Sequence, residues 1–62
     1  MNLIRLTEVM ARTALSRSGI YDLMAHNRFP KPVKIGDGRI NAWLDSEVSD
    51  WIASRLAERE AA

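Results

Sequence analysis

One helix is marked at both of its ends in the sequence, and it constrains the fold more than any other feature. Ser16 is a favoured N-cap, because its hydroxyl can accept a hydrogen bond from an amide that the first helical turn leaves unpaired. The helix is then predicted to begin at Arg17. Asn27 tolerates the left-handed conformation in which many helices end, and Pro30 prevents continuation. The helical period places three apolar residues on one core-facing side: Ile20, Leu23 and Met24.

The opposite side of this helix is polar and carries mostly small residues. A basic residue at the start of a helix is unfavourable for the helix dipole, so stability does not explain Arg17. Ser18 and Tyr21 can bond phosphate or base edges, although Tyr21 could equally pack against a neighbouring element. We interpret this side as the surface that contacts DNA. Its residues are Ser18, Tyr21, Asp22 and Ala25, with Arg17 at the flank.

A short helix is predicted to precede this one. Thr7 is its expected N-cap, Glu8 complements the dipole in its first turn, and it runs to Arg12 after the apolar lead-in Leu3 to Leu6. Residues 13–15 then form a tight connection, and two helices joined in this way make a helix-turn-helix. This pattern alone leaves DNA binding open, since many small proteins contain two consecutive helices that bind nothing.

A β-hairpin is predicted after the second helix, because Asp37-Gly38 is a favoured two-residue turn between apolar segments. In this register Ile35 faces Ile40 and Val33 faces Ala42, which makes one apolar face. The other face is cationic, and strict alternation would add Trp43 to it, but we expect that indole to turn inward as the strand ends. The residues predicted on the cationic face are Lys34, Arg39 and Asn41.

A third helix follows, with Asp45 as its expected N-cap and Glu47 in its first turn. A stripe at steps of three and four residues, mostly apolar, is predicted to cover the first two helices and the apolar face of the hairpin. The other side of the helix is acidic or small, so we do not expect it on DNA. The fold class is therefore α+β, mainly α: a small winged helix-turn-helix in a single domain of residues 1–62. The stripe consists of Leu44, Val48, Trp51, Ile52, Arg55 and Leu56.

Composition narrows the function classes. A chain of 62 residues buries only about 60% of its unfolded surface, so its core is small. Without cysteine, the lone His26 cannot build a zinc site, and neither a carboxylate pair nor a phosphate-binding glycine loop is evident. We therefore predict no enzyme, metal or cofactor. The absence of a signal peptide and of a membrane span predicts a cytoplasmic protein.

Charge is divided unevenly along the chain, although the net charge is only +1. Residues 12–39 carry six basic and two acidic side chains, whereas residues 40–62 carry two basic and five acidic ones. A concentrated positive segment suits a polyanion, because local potential rather than net charge steers binding. A solvated surface of mixed charge is the alternative interpretation.

Several spaced motifs together resemble the phage AlpA-type regulators over nearly the whole chain. These are Leu-Ser-Arg-Ser-x-Ile-Tyr at 15–21, Phe-Pro-Lys-Pro-Val-Lys-Ile-Gly at 29–36, Ala-Trp at 42–43 with Arg39, and Ser-Glu-Val-x-x-Trp-Ile at 46–52. The resemblance implies a winged helix-turn-helix that is similar to excisionases and MerR-like proteins. It also implies small prophage-encoded DNA-binding proteins that activate recombination genes or direct excision.

Two residues depart from the family pattern. Gly19 stands where Thr is frequent, which costs up to about 1 kcal/mol of helix propensity in an interior position. Asp22 stands where Arg or Lys is frequent; its carboxylate would repel a phosphate but could accept a hydrogen bond from a cytosine amino group. The departure at Asp22 therefore affects either the base sequence that is read, which is the preferred interpretation, or DNA binding itself.

The leading hypothesis is a sequence-specific DNA-binding prophage regulator that activates a recombination or integrase gene. The alternative within this class is an excision factor that bends attachment-site DNA, and the alternative from another class is a protein-interaction module. A module of this size buries too little surface on DNA for strong specificity alone. We therefore expect paired sites, weak self-association on DNA, or a partner such as integrase or RNA polymerase. We expect no membrane association. Lys31 is a further candidate for a DNA contact, although the simpler interpretation is that it is a solvated surface residue. The predicted DNA-binding residues are Ser16, Arg17, Ser18, Tyr21, Asp22, Lys31, Lys34 and Arg39.

Overall fold

The computed structural model describes residues 2–61, which form three helices and a three-stranded antiparallel sheet. The predicted α+β, mainly helical class is confirmed, and the arrangement is consistent with a small winged helix-turn-helix. None of the helices in the described part of the chain is long and apolar enough to cross a membrane. The elements in chain order are β1 (Leu3–Arg5), α1 (Leu6–Thr13), α2 (Arg17–Ala25), β2 (Val33–Ile35), β3 (Ile40–Leu44) and α3 (Asp45–Ala61).

The second helix has the predicted limits because its start and stop are set locally. Ser16 is extended and caps α2 through its side chain, and Asn27 leaves the helix with a φ of 57°. Ile20 is fully buried on the core-facing side, as predicted. The helix-turn-helix connection is made by residues 14–16, where Ala14 adopts a left-handed φ of 60° and closes α1.

The N-terminal segment Leu3–Arg5 is a strand rather than a lead-in, and Leu6 is the first residue of α1, which corrects the prediction for Leu3 to Leu6. β1 pairs with β3, so that Ile4 lies opposite Trp43. The chain passes directly from β1 into α1, and the extended residue before the helix is Arg5, which makes no side-chain cap. The prediction of Thr7 as N-cap is therefore wrong, because the sheet fixes the position where the helix begins.

The hairpin of β2 and β3, here called the wing, has the predicted register. Val33 lies opposite Ala42 and Ile35 opposite Ile40. The turn, however, spans residues 36–39 instead of the two-residue turn Asp37-Gly38. Gly36 has a φ of 65°, which side chains disfavour, and the amide of Gly38 donates to the carbonyl of Ile35 at 3.2 Å. The β2–β3 pairing therefore ends at Ile35 and Ile40, one residue before the two-residue turn would have ended it on each strand.

The core packs against the face of the sheet that carries Ile4 and Trp43, both of which are buried. Alternation places Lys34 and Asn41 on this same face, further out along the wing. The prediction that the third helix covers the other face is wrong, since Val33 is 42% exposed and no residue of that face belongs to the hydrophobic core cluster, although the small side chain of Ala42 on that face is buried. Trp43 is buried as expected. It keeps the strict alternation of β3, however, because the face on which it lies is the one that packs against the core.

Six buried side chains from helices, sheet and connecting segment form the core cluster of the described residues, which leaves out the buried Ala42. The stripe of α3 contributes Val48, with Trp51 and Ile52 packed beside it, whereas Leu56 is 51% exposed and lies beyond the core. Asp45 is the first residue of α3 instead of its N-cap, and its carboxylate bonds to Arg12. The buried core residues are Ile4, Val9, Ile20, Phe29, Trp43 and Val48.

The connection between α2 and the wing is held by two indole groups. Trp51 donates from Nε1 to the carbonyl of Arg28 at 2.8 Å, and Trp43 donates from Nε1 to the carbonyl of Pro30 at 3.0 Å. Phe29 lies between these bonds and meets the ring of Trp51 edge-on, with ring centroids 4.9 Å apart. These contacts fix the position of the wing relative to α2.

Candidate nucleic-acid interface

The start of α2 is built by a hydroxyl cap. The Oγ atom of Ser16 accepts a hydrogen bond from the amide of Gly19 at 3.1 Å, and it lies 3.3 Å from the hydroxyl of Ser18. The first turn contains no acidic side chain. The partial positive charge of the helix N-terminus is thus left available to an anion, with the exposed Arg17 beside it.

Arg17 and Tyr21 form a contact one turn apart on α2. The guanidinium carbon of Arg17 lies 5.7 Å from the centroid of the Tyr21 ring, within the range of a cation–π interaction. Arg17 is exposed and Tyr21 is half-buried. The ring therefore orients the guanidinium without removing it from solvent.

Tyr21 also links α2 to the wing. The side-chain amide nitrogen of Asn41 donates to the Tyr21 hydroxyl at 3.3 Å, and the ammonium of Lys34 donates to the amide oxygen of Asn41 at 3.4 Å. Both wing residues lie on the core-side face of the sheet, which is the face that meets the helices. We call Arg17, Tyr21, Asn41 and Lys34 the helix–wing cluster.

The structure thus brings together three of the predicted site residues: Arg17, Tyr21 and Lys34. The packing alternative for Tyr21 is also observed, because its hydroxyl contacts the wing. Asn41 was placed by sequence beside Lys34 but was not singled out. The signal was present, since alternation puts the two residues on one face and the register pairs them directly.

The remaining predicted residues lie outside this cluster. Ser18 and Asp22 are exposed on α2, and the carboxylate of Asp22 lies 3.8 Å from Nδ1 of His26. Lys31 is exposed ahead of β2, and Arg39 is exposed at the end of the wing turn. Within residues 2–61, no hydrogen bond or ion pair connects Lys31 or Arg39 to the helix–wing cluster.

One basic residue of the positive segment is already paired within the protein. Arg12 contacts Glu8 at 2.9 Å and bonds to Asp45. This bond is the main reason why the pKa of Asp45 lies below its ordinary value. The positive charge that remains for a partner in this segment is therefore carried by the exposed basic residues between 17 and 39, among which Arg17 lies on α2 and Lys34 on β2 of the wing.

The arrangement is consistent with a small winged helix-turn-helix that carries basic side chains on both α2 and the wing. The chain belongs to the family described as prophage CP4-57 regulatory protein (AlpA), whose sequence profile matches residues 2–56. The match extends from β1 into α3, so it includes the whole helix–wing cluster. The resemblance seen in the sequence is thereby confirmed.

A protein of Enterobacteria phage P4, described as uncharacterized protein ORF88, is similar to this chain. The two are 47% identical over 57 residues, which is 92% of this chain and 64% of the phage protein. The chain thus spans less than two thirds of the length of that relative. No solved structure matches the chain.

Proposed function

We propose that the protein is a sequence-specific DNA-binding regulator of prophage genes, with α2 in the major groove and the wing on the adjacent backbone. The observation that carries this proposal is the helix–wing cluster, in which Arg17 of α2 and Lys34 of the wing are linked through Tyr21 and Asn41. A recognition helix with a neighbouring basic wing can contact bases and phosphates at once. Membership of a regulatory family supports the same conclusion and a role other than that of an enzyme.

Within this proposal, Ser18 and Asp22 read bases, since both are exposed on α2 and neither belongs to the linked cluster. A carboxylate accepts from the amino group of cytosine, so Asp22 favours a cytosine in the site. Selection of bound sequences from a random duplex pool should show this preference. The variant Asp22→Asn should shift the preferred base at one position and leave the others unchanged.

The regulated gene is proposed to be a recombination gene, such as one for an integrase, and the place of action is the cytoplasm, where the DNA lies. A module of this size contacts too little DNA for strong specificity alone, so paired sites, weak self-association on DNA, or help from integrase or RNA polymerase are part of the proposal. Lys31 and Arg39 serve as further phosphate contacts at the edges of the surface.

Footprinting of the DNA that flanks the gene for this protein tests the proposal. Protection of a promoter is expected for a regulator. Protection of several phased sites at an attachment site would instead identify an excision factor. If no sequence is protected at protein concentrations that saturate non-specific DNA, the proposal is wrong and a protein-interaction module becomes the better account.

A further inference from the structure

Asn41 makes the hydrogen bond that joins the wing to α2 in the helix–wing cluster. Asn41 is half-buried at the second position of β3, and the two ends of its side-chain amide contact different elements. Its nitrogen meets Tyr21 of α2, and its oxygen meets Lys34 of β2. Both bonds, at 3.3 and 3.4 Å, are longer than a typical N–H···O hydrogen bond, so they bias the two partner side chains without locking them.

The chemistry of Lys34 fixes the direction of these bonds. An ammonium group carries only donors, so the amide oxygen of Asn41 must face it, and the amide nitrogen must then face Tyr21. The hydroxyl oxygen of Tyr21 therefore accepts. The hydroxyl proton of Tyr21 remains free to be donated elsewhere, and so do two of the three N–H groups of Lys34.

The unused donors at this junction suit an anionic acceptor. Arg17 adds its guanidinium, which is held over the ring of Tyr21 at 5.7 Å. Hydroxyl, ammonium and guanidinium donors from two elements are the groups that bind phosphate oxygens in protein–DNA contacts. No acidic side chain takes part in any of these bonds.

We propose that Asn41 is a positioning residue that turns the Tyr21 hydroxyl outward as a donor and, together with Lys34, presents it to the DNA phosphate backbone. This inference rests on the proposed function. Asn41 itself carries no charge and makes its contribution through Tyr21 and Lys34. Its loss should therefore weaken phosphate binding without removing a phosphate contact of Lys34.

The test uses the full chain and the duplex that footprinting identifies. Asn41→Val removes the amide and keeps a side chain that strands favour, and Asn41→Ala is the second variant. We expect each to bind about three- to tenfold more weakly. The slope of log affinity against log salt should stay at the wild-type value, because every cation is retained. Unchanged circular dichroism and Tm would exclude loss of the fold as the cause.

A double-mutant cycle with Tyr21→Phe gives the decisive result. If Asn41 acts by orienting the Tyr21 hydroxyl, Asn41→Val should cost much less in the Tyr21→Phe background than in the wild type. Wild-type affinity in both Asn41 variants, or fully additive losses in the cycle, would overturn the inference while the proposed function stands. Wild-type protein that binds no duplex specifically would overturn both.

Discussion

The guanidinium of Arg12, near the end of α1, bonds to the carboxylate of Asp45, the first residue of α3. The bond joins residues that are 33 positions apart and ties the first helix to the last. It lowers the pKa of Asp45, and the hydroxyl of Ser49, 3.4 Å from the same carboxylate oxygen, acts in the same direction.

Acidification should remove the contribution of this pair to stability. Because the pKa of Asp45 is lower in the folded chain, the unfolded chain binds the proton first as the pH falls. The stabilisation is complete above the ordinary carboxylate pKa of about 3.9 and is lost as the pH falls through the lowered value. We expect Asp45→Asn to be less stable than wild type at neutral pH, and we expect the difference to close in acid.

Urea unfolding of both proteins at a series of pH values measures this difference. Arg12→Met leaves the carboxylate but removes its main partner, so its stability should approach that of the wild type in acid in the same way. A gap between Asp45→Asn and wild type that stays constant across the acid range would show that the pair contributes nothing to the pH dependence.

Because the core packs on the sheet face opposite to that of Val33, a Val→Thr substitution should reduce the free energy of unfolding by different amounts at Val33 and at the buried Val48. Val33→Thr places a hydroxyl on the outer, solvent-facing side and should change the free energy of unfolding by less than about 0.5 kcal/mol. Val48→Thr places the same hydroxyl in the core, where Val48 is fully buried, and should cost about 1–3 kcal/mol. Urea unfolding measures both. A cost of about 1–3 kcal/mol for Val33→Thr as well would mean that the core lies on the other face of the sheet.

Gly19 should be coupled to the cap of α2. A Cβ atom added at Gly19 would lie 3.2 Å from the Oγ atom of Ser16, which is held by its bond to the Gly19 amide. Gly19→Ala should therefore gain less than the roughly 1 kcal/mol that helix propensity offers. Ser16→Ala should cost about 1 kcal/mol by loss of the cap.

The double variant separates these two effects. In the Ser16→Ala background the hydroxyl is absent, so Gly19→Ala should stabilise the protein by more than it does in the wild type. Thermal unfolding of the four proteins completes the cycle. Identical effects of Gly19→Ala in both backgrounds would show that crowding of the cap does not explain the glycine.

Structural features that depend on neighbouring residues could be predicted from the sequence. Features that depend on the pairing of distant segments could not. The limits of α2 follow from Ser16 and Asn27, which act within one turn of each end. The register of the wing follows from alternation, even though positive φ at Gly36 changes the turn. β1 has only three residues, which is too short to show a period, and it becomes a strand only by pairing with β3.

The core-side face of the sheet was misassigned for the same reason. The wing alone offers a face of small and branched apolar residues, and without the pairing of β1 that face is the one that the sequence favours for burial. The pairing of Ile4 with Trp43 buries the opposite face, which brings Asn41 to Tyr21. The sequence thus proposes Arg17, Tyr21 and Lys34 as candidate residues, but their connection through Asn41 depends on tertiary packing.

The salt dependence of DNA affinity tests the central claim most directly, with Lys34→Ala compared against Arg59→Ala. Arg59 is an exposed basic residue near the end of α3, the helix that has Asp45 and Glu47 in its first turn. If the wing binds phosphate, Lys34→Ala should lower the magnitude of the log–log slope by about 1, and Arg59→Ala should leave it at the wild-type value. Equal slopes for wild type and Lys34→Ala would contradict the account.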